Sequence, residues 1–336
     1  MGFVSLPTLF TAQRAAALAA VLVTALLLPR GVQAEDFPSR PVTIVVPYAA
    51  GGGTDILARA LAQKFSERFG KPFVVDNRPG GGTVIAATSV ARASPDGHTL
   101  IFAPSGMLTI NPTLYKSLPY DAAKDFVPIA LVSNVPFVLV VTPSLPIHSV
   151  SDLVTYAKEK PGRVAYASPG TGTMGHLAAE MLKQRTGTDM TPVPYKGNMP
   201  ALIDVVAGHV QLTFTDPAIS PPLIKEGKVR ALGVTSRTRA GVLPDVPPLT
   251  EVGLPDFEAI SWHMIMAPSG TPQPIVDRLH AELRAIVALA SVQDQITRIG
   301  LIPVATPSLE QLRRFTAAEM DRWGALVRQV GIAGSE

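Results

Sequence analysis

The chain has 336 residues, 47% hydrophobic and 16% charged, with 29 Lys and Arg against 26 Asp and Glu and no cysteine. That length suffices for two ordinary domains. The missing cysteine excludes a disulfide framework, a thiol nucleophile and a cysteine metal site, and balanced charge without a basic stripe excludes a nucleic-acid groove.

The N-terminal 34 residues have the pattern of an export signal. Arg14 is the only charge before the apolar run Ala15 to Leu28, and Val32-Gln33-Ala34 supplies a cleavage site, so cleavage is expected near Ala34 and a mature start near Glu35. The run is too short to span a bilayer comfortably; the competing reading is an N-terminal anchor. Removing Arg14 and Arg30 lowers the formal charge from +3 to +1. Export with neither an anchor nor a lipid-bearing cysteine points to a periplasm.

Val42 to Val46 is an all-apolar strand of the kind buried in a parallel sheet. It runs through Pro47-Tyr48-Ala49-Ala50-Gly51-Gly52-Gly53-Thr54-Asp55 into a helix whose apolar positions Ile56, Leu57, Ala60, Leu61 and Phe65 recur at helical spacing. Unpaired N–H groups and the dipole make such a helix start an anion site, and the glycines allow close approach. No Gly-Lys-Ser/Thr follows, so the turn is not a nucleotide P-loop. Phe73 to Val75 reads as the next strand, followed by Asp76-Asn77-Arg78-Pro79, the triplet Gly80-Gly81-Gly82, a helix over Val84 to Ala93 and a strand over Thr99 to Ala103. This alternation indicates an α/β fold with a mostly parallel sheet.

A second alternating set begins with a strand at Phe137 to Val141. Ser149 to Asp152 has capping-box spacing before a helix over Leu153 to Lys158. Strand Val164 to Ala167 then enters a second glycine turn, Ser168 to Gly175, and a helix over His176 to Arg185. Strand Thr191 to Tyr195, helix Pro200 to Val206 and strands Val210 to Thr215 and Val229 to Thr235 follow. The last hundred residues show two amphipathic helices, one burying Ile275, Val276, Leu279, Leu283 and Ile286. The other starts at Ser308 with Gln311 in capping-box position and buries Leu312, Phe315, Trp323, Leu326 and Val330.

The two glycine turns would lie outside the carboxyl ends of their strands, where open α/β sheets bind ligands. Gly170-Thr171-Gly172-Thr173-Met174-Gly175 spells the dinucleotide fingerprint, but the next strand ends in Lys196 and Asp189 lies before it, so the ribose-binding acid is missing.

The motifs Phe37 to Arg59, Asn77-Arg78-Pro79-Gly80, Pro95-Asp96-Gly97, Leu118-Pro119-Tyr120-Asp121, Tyr166-Ala167-Ser168 with Gly170, Gly172-Thr173 and His176, Pro194-Tyr195-Lys196-Gly197, and Asp216 together resemble the Bug family, the periplasmic receptors of tripartite tricarboxylate transporters. The resemblance covers essentially the whole mature chain. It implies a two-lobed Venus-flytrap, a type II periplasmic binding protein fold, each lobe a mostly parallel sheet flanked by helices. The lobes are expected over 35–136 plus 236–336 and over 137–235, with crossings near 137–141 and 229–235. It further implies a small carboxylate held by one turn from each lobe: a di- or tricarboxylate, an amino acid or an aromatic acid. Carried over, the ligand-binding set is Tyr48, Ala49, Gly51, Gly52, Thr54 and Asp55 with Ser168, Gly170, Gly172, Thr173, His176, Tyr195, Lys196 and Asp216. The family's Gly-Ala-Gly triplet stands here as Gly80-Gly81-Gly82, a departure expected to leave the ligand unaffected.

Several of these residues carry a structural alternative. Thr54, Ser168 and Thr173 are either ligand donors or helix N-caps. Asp55 either polarises the site or favours its helix start through the dipole, and His176 either packs and caps or touches the ligand. Asp216 either accepts from a ligand amino or hydroxyl group or is a solvated loop acid. The remaining histidines, His98, His148, His209, His263 and His280, lack metal-ligand spacing, so neither metal nor cofactor is expected. The resemblance implies a monomer that hands its ligand to a membrane permease, or to a membrane sensor in the competing reading. An exported hydrolase is the remaining alternative, weakened by the absence of a Gly-x-Ser-x-Gly elbow or a His-Glu-x-x-His pair.

Overall fold

The computed structural model describes residues 37–336; the expected export signal lies outside the described residues. The first strands and helices follow the local signals. β1 (Val42–Val46) leads into α1 (Gly53–Phe69), β2 (Phe73–Asn77), α2 (Val84–Ala91), β3 (Thr99–Pro104), the short helices α3 (Ser105–Thr109) and α4 (Asn111–Leu114), and β4 (Phe126–Val135). α1 stops where Gly70 turns left-handed, at φ 67°, and its N–H caps the Ser66 carbonyl.

The chain then builds β5 (Val138–Val141), α5 (Val150–Glu159), β6 (Val164–Ser168), α6 (Met174–Thr186), β7 (Met190–Pro194), α7 (Asn198–Val206), β8 (Leu212–Thr215), α8 (Pro221–Lys225) and β9 (Arg230–Val234). It closes with β10 (Ser261–Pro268), α9 (Gln273–Val287), α10 (Ala290–Arg298), β11 (Ile302–Pro303) and α11 (Leu309–Gln329). Ser149 accepts the Asp152 N–H as the expected cap of α5, and Ser308 and Gln311 form the capping box of α11.

These strands make two sheets, and hence two lobes. The first runs β11-β4-β10-β3-β1-β2 and the second β7-β6-β8-β5-β9. Both sheets are mixed, not mostly parallel as expected: the ladders are parallel in the strand-turn-helix units, β1 with β2 and β3 and β6 with β7 and β8, where a crossover helix returns the chain in the same direction. Antiparallel strands complete each sheet: β10 pairs with β3 and β4, β11 with β4, and β5 with β8 and β9. β4 and β10 have no counterpart among the expected elements. β10 is buried along its whole length, and a short apolar run without alternation carries no strand period to read.

One core lies against each sheet. Val45, Ile101, Ala103, Leu131, Met264 and Met266 pack with Leu312 of α11 in the first. Trp262 is buried there and Trp323 is buried in α11, and both indole N–H groups donate to the Glu319 carboxylate, at 3.0 and 2.8 Å. Each large apolar side chain so buried contributes about 1.5–3 kcal/mol. Val138, Val140, Ala167, Leu202, Val205 and Val234 form the second core, joined by Ala240, Leu243 and Val246. Ala240, Leu243 and Val246 thus pack on the second core after the chain leaves β9.

The chain segments between the sheets are tied together. Phe137 N–H donates to Thr235 Oγ1 at 2.8 Å, Thr235 N–H returns to the Phe137 carbonyl at 2.9 Å, and the Thr235 hydroxyl donates to the Ala259 carbonyl at 2.6 Å. Among the described residues no helix is long and apolar enough to cross a membrane.

Candidate functional site

The first turn is shaped by its own acid. Gly51 takes a φ of 89°, and Asp55 Oδ2 accepts the Gly51 N–H at 3.0 Å and Arg59 Nε at 3.1 Å while Oδ1 accepts Asn77 Nδ2 at 3.0 Å. Burial opposes the Asp55 charge, but hydrogen bonds from Arg59, Gly51 and Asn77 hold its pKa below the usual carboxylate range. Its carboxylate is thus engaged in holding the turn. Gly52 is the N-cap of α1, which frees Thr54 from capping.

Thr54 instead faces His263, which lacks metal-ligand spacing and lies outside the expected ligand-binding set. Its Oγ1 lies 3.1 Å from His263 Nε2, and His263 Nδ1 lies 3.1 Å from Ser133 Oγ, all buried. Burial drives the His263 pKa down to about 3, so the imidazole is neutral and takes one hydroxyl as donor and the other as acceptor. Beside this chain, Ser105 and Ser261 hydroxyls pair at 2.8 Å.

The second turn follows β6. Gly170 and Gly172 have φ of 140° and 76°. Thr173 is the N-cap of α6: its hydroxyl donates to the Gly170 carbonyl at 2.7 Å and accepts the His176 N–H at 3.4 Å. His176 Nδ1 accepts the Gly172 N–H at 3.3 Å, and the ring stacks on Tyr166. Burial lowers the His176 pKa, which keeps that acceptor available. Tyr166 and Lys183 both donate to Glu180 behind it.

The two turns meet. Ala49 N–H donates to the Lys196 carbonyl at 2.9 Å, and Gly53 N–H, at the start of α1, donates to Asp216 Oδ2 at 3.3 Å. Asp216 also accepts from Asn198 Nδ2 at 2.9 Å and Ala218 N–H at 3.0 Å. Burial pushes its pKa up to about 6 against those three hydrogen bonds. At Gly106 and Gly82 the approach leaves no room for a side chain: a β-carbon would stand 2.5 Å from the Gly172 carbonyl oxygen and 1.7 Å from that of Thr171. The Gly80-Gly81-Gly82 turn therefore abuts the second lobe.

Between the lobes lies a cavity of about 20 Å³, room for one water-sized group. Tyr48, Thr54, Thr173 and Asp216 of the expected set line it, together with Asn198, Ser261 and His263; Val135, Phe137, Met174, Pro104, Pro169 and Gly175 supply the rest of the wall. Burial, and next the Asp216 charge, raise the Tyr48 pKa, so its phenol stays a neutral donor.

The other expected residues sit around the cavity without lining it. Ala49, Gly51, Gly52, Gly170 and Gly172 shape the turns. Lys196 is exposed and contributes its carbonyl, and the Tyr195 hydroxyl donates to Asp204. Ser168 Oγ is buried with no hydrogen-bond partner. Among the described residues no cluster of His, Asp and Glu could hold a metal ion.

A family model described as tripartite tricarboxylate transporter family receptor matches residues 57–332. Rpa4515 of R. palustris, solved with adipate, is 40% identical with a TM-score of 0.85, covering 89% of this chain and 99% of its own. The periplasmic binding protein BugD is 35% identical with a TM-score of 0.84, covering 88% and 99%. MatC of Rhodopseudomonas palustris, solved with bound malate, is 34% identical with a TM-score of 0.82, covering 87% and 100%.

Proposed function

The chain belongs to the receptor family of tripartite tricarboxylate transporters, and from that premise we propose that it is a periplasmic receptor that traps a small carboxylate between its lobes and delivers it to the transporter's membrane permease. The observation that carries the reading is the cavity itself. It lies between two helices that start at glycine turns, its polar wall is built of hydroxyls, a phenol, an amide, a neutral imidazole and one carboxylate, and no Lys or Arg lines it.

Such a site holds an anion by hydrogen bonds alone. Each bond to a charged acceptor contributes about 1.5–3 kcal/mol, so three or four offset the lost hydration of a carboxylate. Thr54 of the first lobe and the N-terminus of α6 in the second face the same space, and both reach an acid only when the lobes are together. Ligand binding therefore shifts the population toward closure. The adipate and malate complexes of the relatives support this class of ligand.

The chain bends at the tied segments around Phe137, Thr235 and Ala259, and the receptor acts as a monomer, as a binder and not a catalyst. Native mass spectrometry of the gently purified chain, with thermal-shift screening against mono-, di- and tricarboxylates, amino acids and aromatic acids, tests the reading. At least one acid should raise the melting temperature in a saturable way, and a flat response across all classes sinks it.

A further inference from the structure

Holding an acid accounts for the donors in the cavity but not for its acceptors. The second lobe contributes a carboxylate, Asp216, which is 2% exposed, and no cation lines the space beside it. A bound carboxylate next to an ionised Asp216 meets a like charge in a poorly solvated site. Asn198 sharpens the point. Its Nδ2 donates to Asp216, which fixes which way the amide faces, and its Oδ1 is left buried with no hydrogen-bond partner. A buried acceptor without a donor is unfavourable, and Asn198 lines the cavity.

Both features are resolved by the same ligand chemistry. We propose that the acid bound here carries a hydroxyl or ammonium group close to the held carboxylate, and that Asn198 Oδ1 and Asp216 receive that donor. The placement near the carboxylate follows from the Gly53 N–H, which Asp216 shares at the start of α1 one residue before Thr54. The donor gives Asn198 its missing partner and turns the Asp216 charge from a source of repulsion into an attraction. Sites that present a buried polar group to a substrate donor discriminate strongly against the analogue lacking it, because the group is then left unpaired.

The inference rests on the carboxylate reading and narrows its ligand class, and matched acids separate the two. Isothermal titration calorimetry of the purified chain compares propionate, lactate and alanine, then succinate, malate and aspartate, then glutarate, 2-hydroxyglutarate and glutamate. In the best-binding series the hydroxy or amino acid should bind at least about tenfold more tightly than its unsubstituted partner. Asn198→Ala should shrink that ratio severalfold; Asp216→Asn, which keeps the side-chain shape, gives a second reading should the first variant fold poorly.

An unsubstituted acid that matches or exceeds its partners overturns the proposal, as does a preference that survives both substitutions. If only an unsubstituted acid binds, and more tightly as the pH is lowered toward about 5, Asp216 acts as a protonated donor and the proposal also fails. If no acid of any series binds, the carboxylate reading falls and this inference with it.

Discussion

Gly106→Ala separates closure from folding. Gly106 lies in α3 with ordinary helical geometry, outside the left-handed positions of the chain, so alanine there favours the helix by roughly 0.5–1 kcal/mol. Its new β-carbon, however, would stand 2.5 Å from the Gly172 carbonyl oxygen and 3.3 Å from the Thr173 Cα. Both are backbone atoms of the second turn and cannot rotate away, so the lobes must stay apart by roughly half an ångström or more to restore a normal contact. Overpacking of this kind typically costs about 1–3 kcal/mol, here charged to the closed state, which corresponds to a loss of affinity of roughly 5- to 150-fold. The assay is calorimetric titration with the tightest acid of the panel beside thermal melts of the free protein. Affinity should fall while the free protein keeps its melting temperature, because opening relieves the contact. Gly70→Ala is the control: with φ 67° and nothing within 4 Å it strains only the end of α1, lowering stability without touching affinity. Wild-type affinity in Gly106→Ala, or a loss that merely tracks its melting temperature, would refute closure as the binding step.

Two further outcomes test the chemistry of the cavity. Thr54→Val removes the hydroxyl that His263 orients and should weaken acid binding by roughly tenfold or more, whereas Thr54→Ser should bind nearly as the parent does; equal losses in titration would remove Thr54 from the site. Asp216 has its pKa raised from 3.8 to about 6, so the folded chain binds the extra proton. Its contribution to stability is full below about pH 4 and is lost as the pH rises through 6, amounting to about 3 kcal/mol. The melting temperature of the parent relative to Asp216→Asn should therefore fall by roughly 5 °C between pH 4 and 6.5, and a difference that is flat or rises with pH contradicts the assigned sign.

What could be read from the chain was what is local. Val42 to Val46, Gly51-Gly52-Gly53 and the spacing of Leu57, Leu61 and Phe65 lie within one strand-turn-helix unit, and the same holds for Val164 to Leu177. β10 eluded the pattern because Ser261–Pro268 is apolar without period and acquires its strand character from pairing with β3 and β4, more than a hundred residues away. His263 eluded it for the same reason: its partners stand 209 and 130 residues earlier. Motif membership located backbone near the cavity but not the direction of side chains. Asp55 belongs to the first turn yet faces Arg59 and Asn77, and Lys196 belongs to the second lobe's motif yet offers its carbonyl to Ala49.

That division between backbone and side chain bears on how such a receptor changes its ligand. Several contacts that join the lobes are made by main chain: Ala49 to Lys196, Gly106 against Gly172, Gly82 against Thr171. Side-chain substitution hardly alters them, provided the glycines stay. On the carboxylate reading proposed above, the acid end is likewise met by helix starts and by Thr54, whose hydroxyl lies against a neutral His263 buried in the first lobe. On the proposal above, ligand identity beyond the carboxylate then falls chiefly to Asn198 and Asp216. Exchanging that pair should therefore redirect specificity while leaving closure intact, whereas filling Gly106 should abolish closure for every ligand alike.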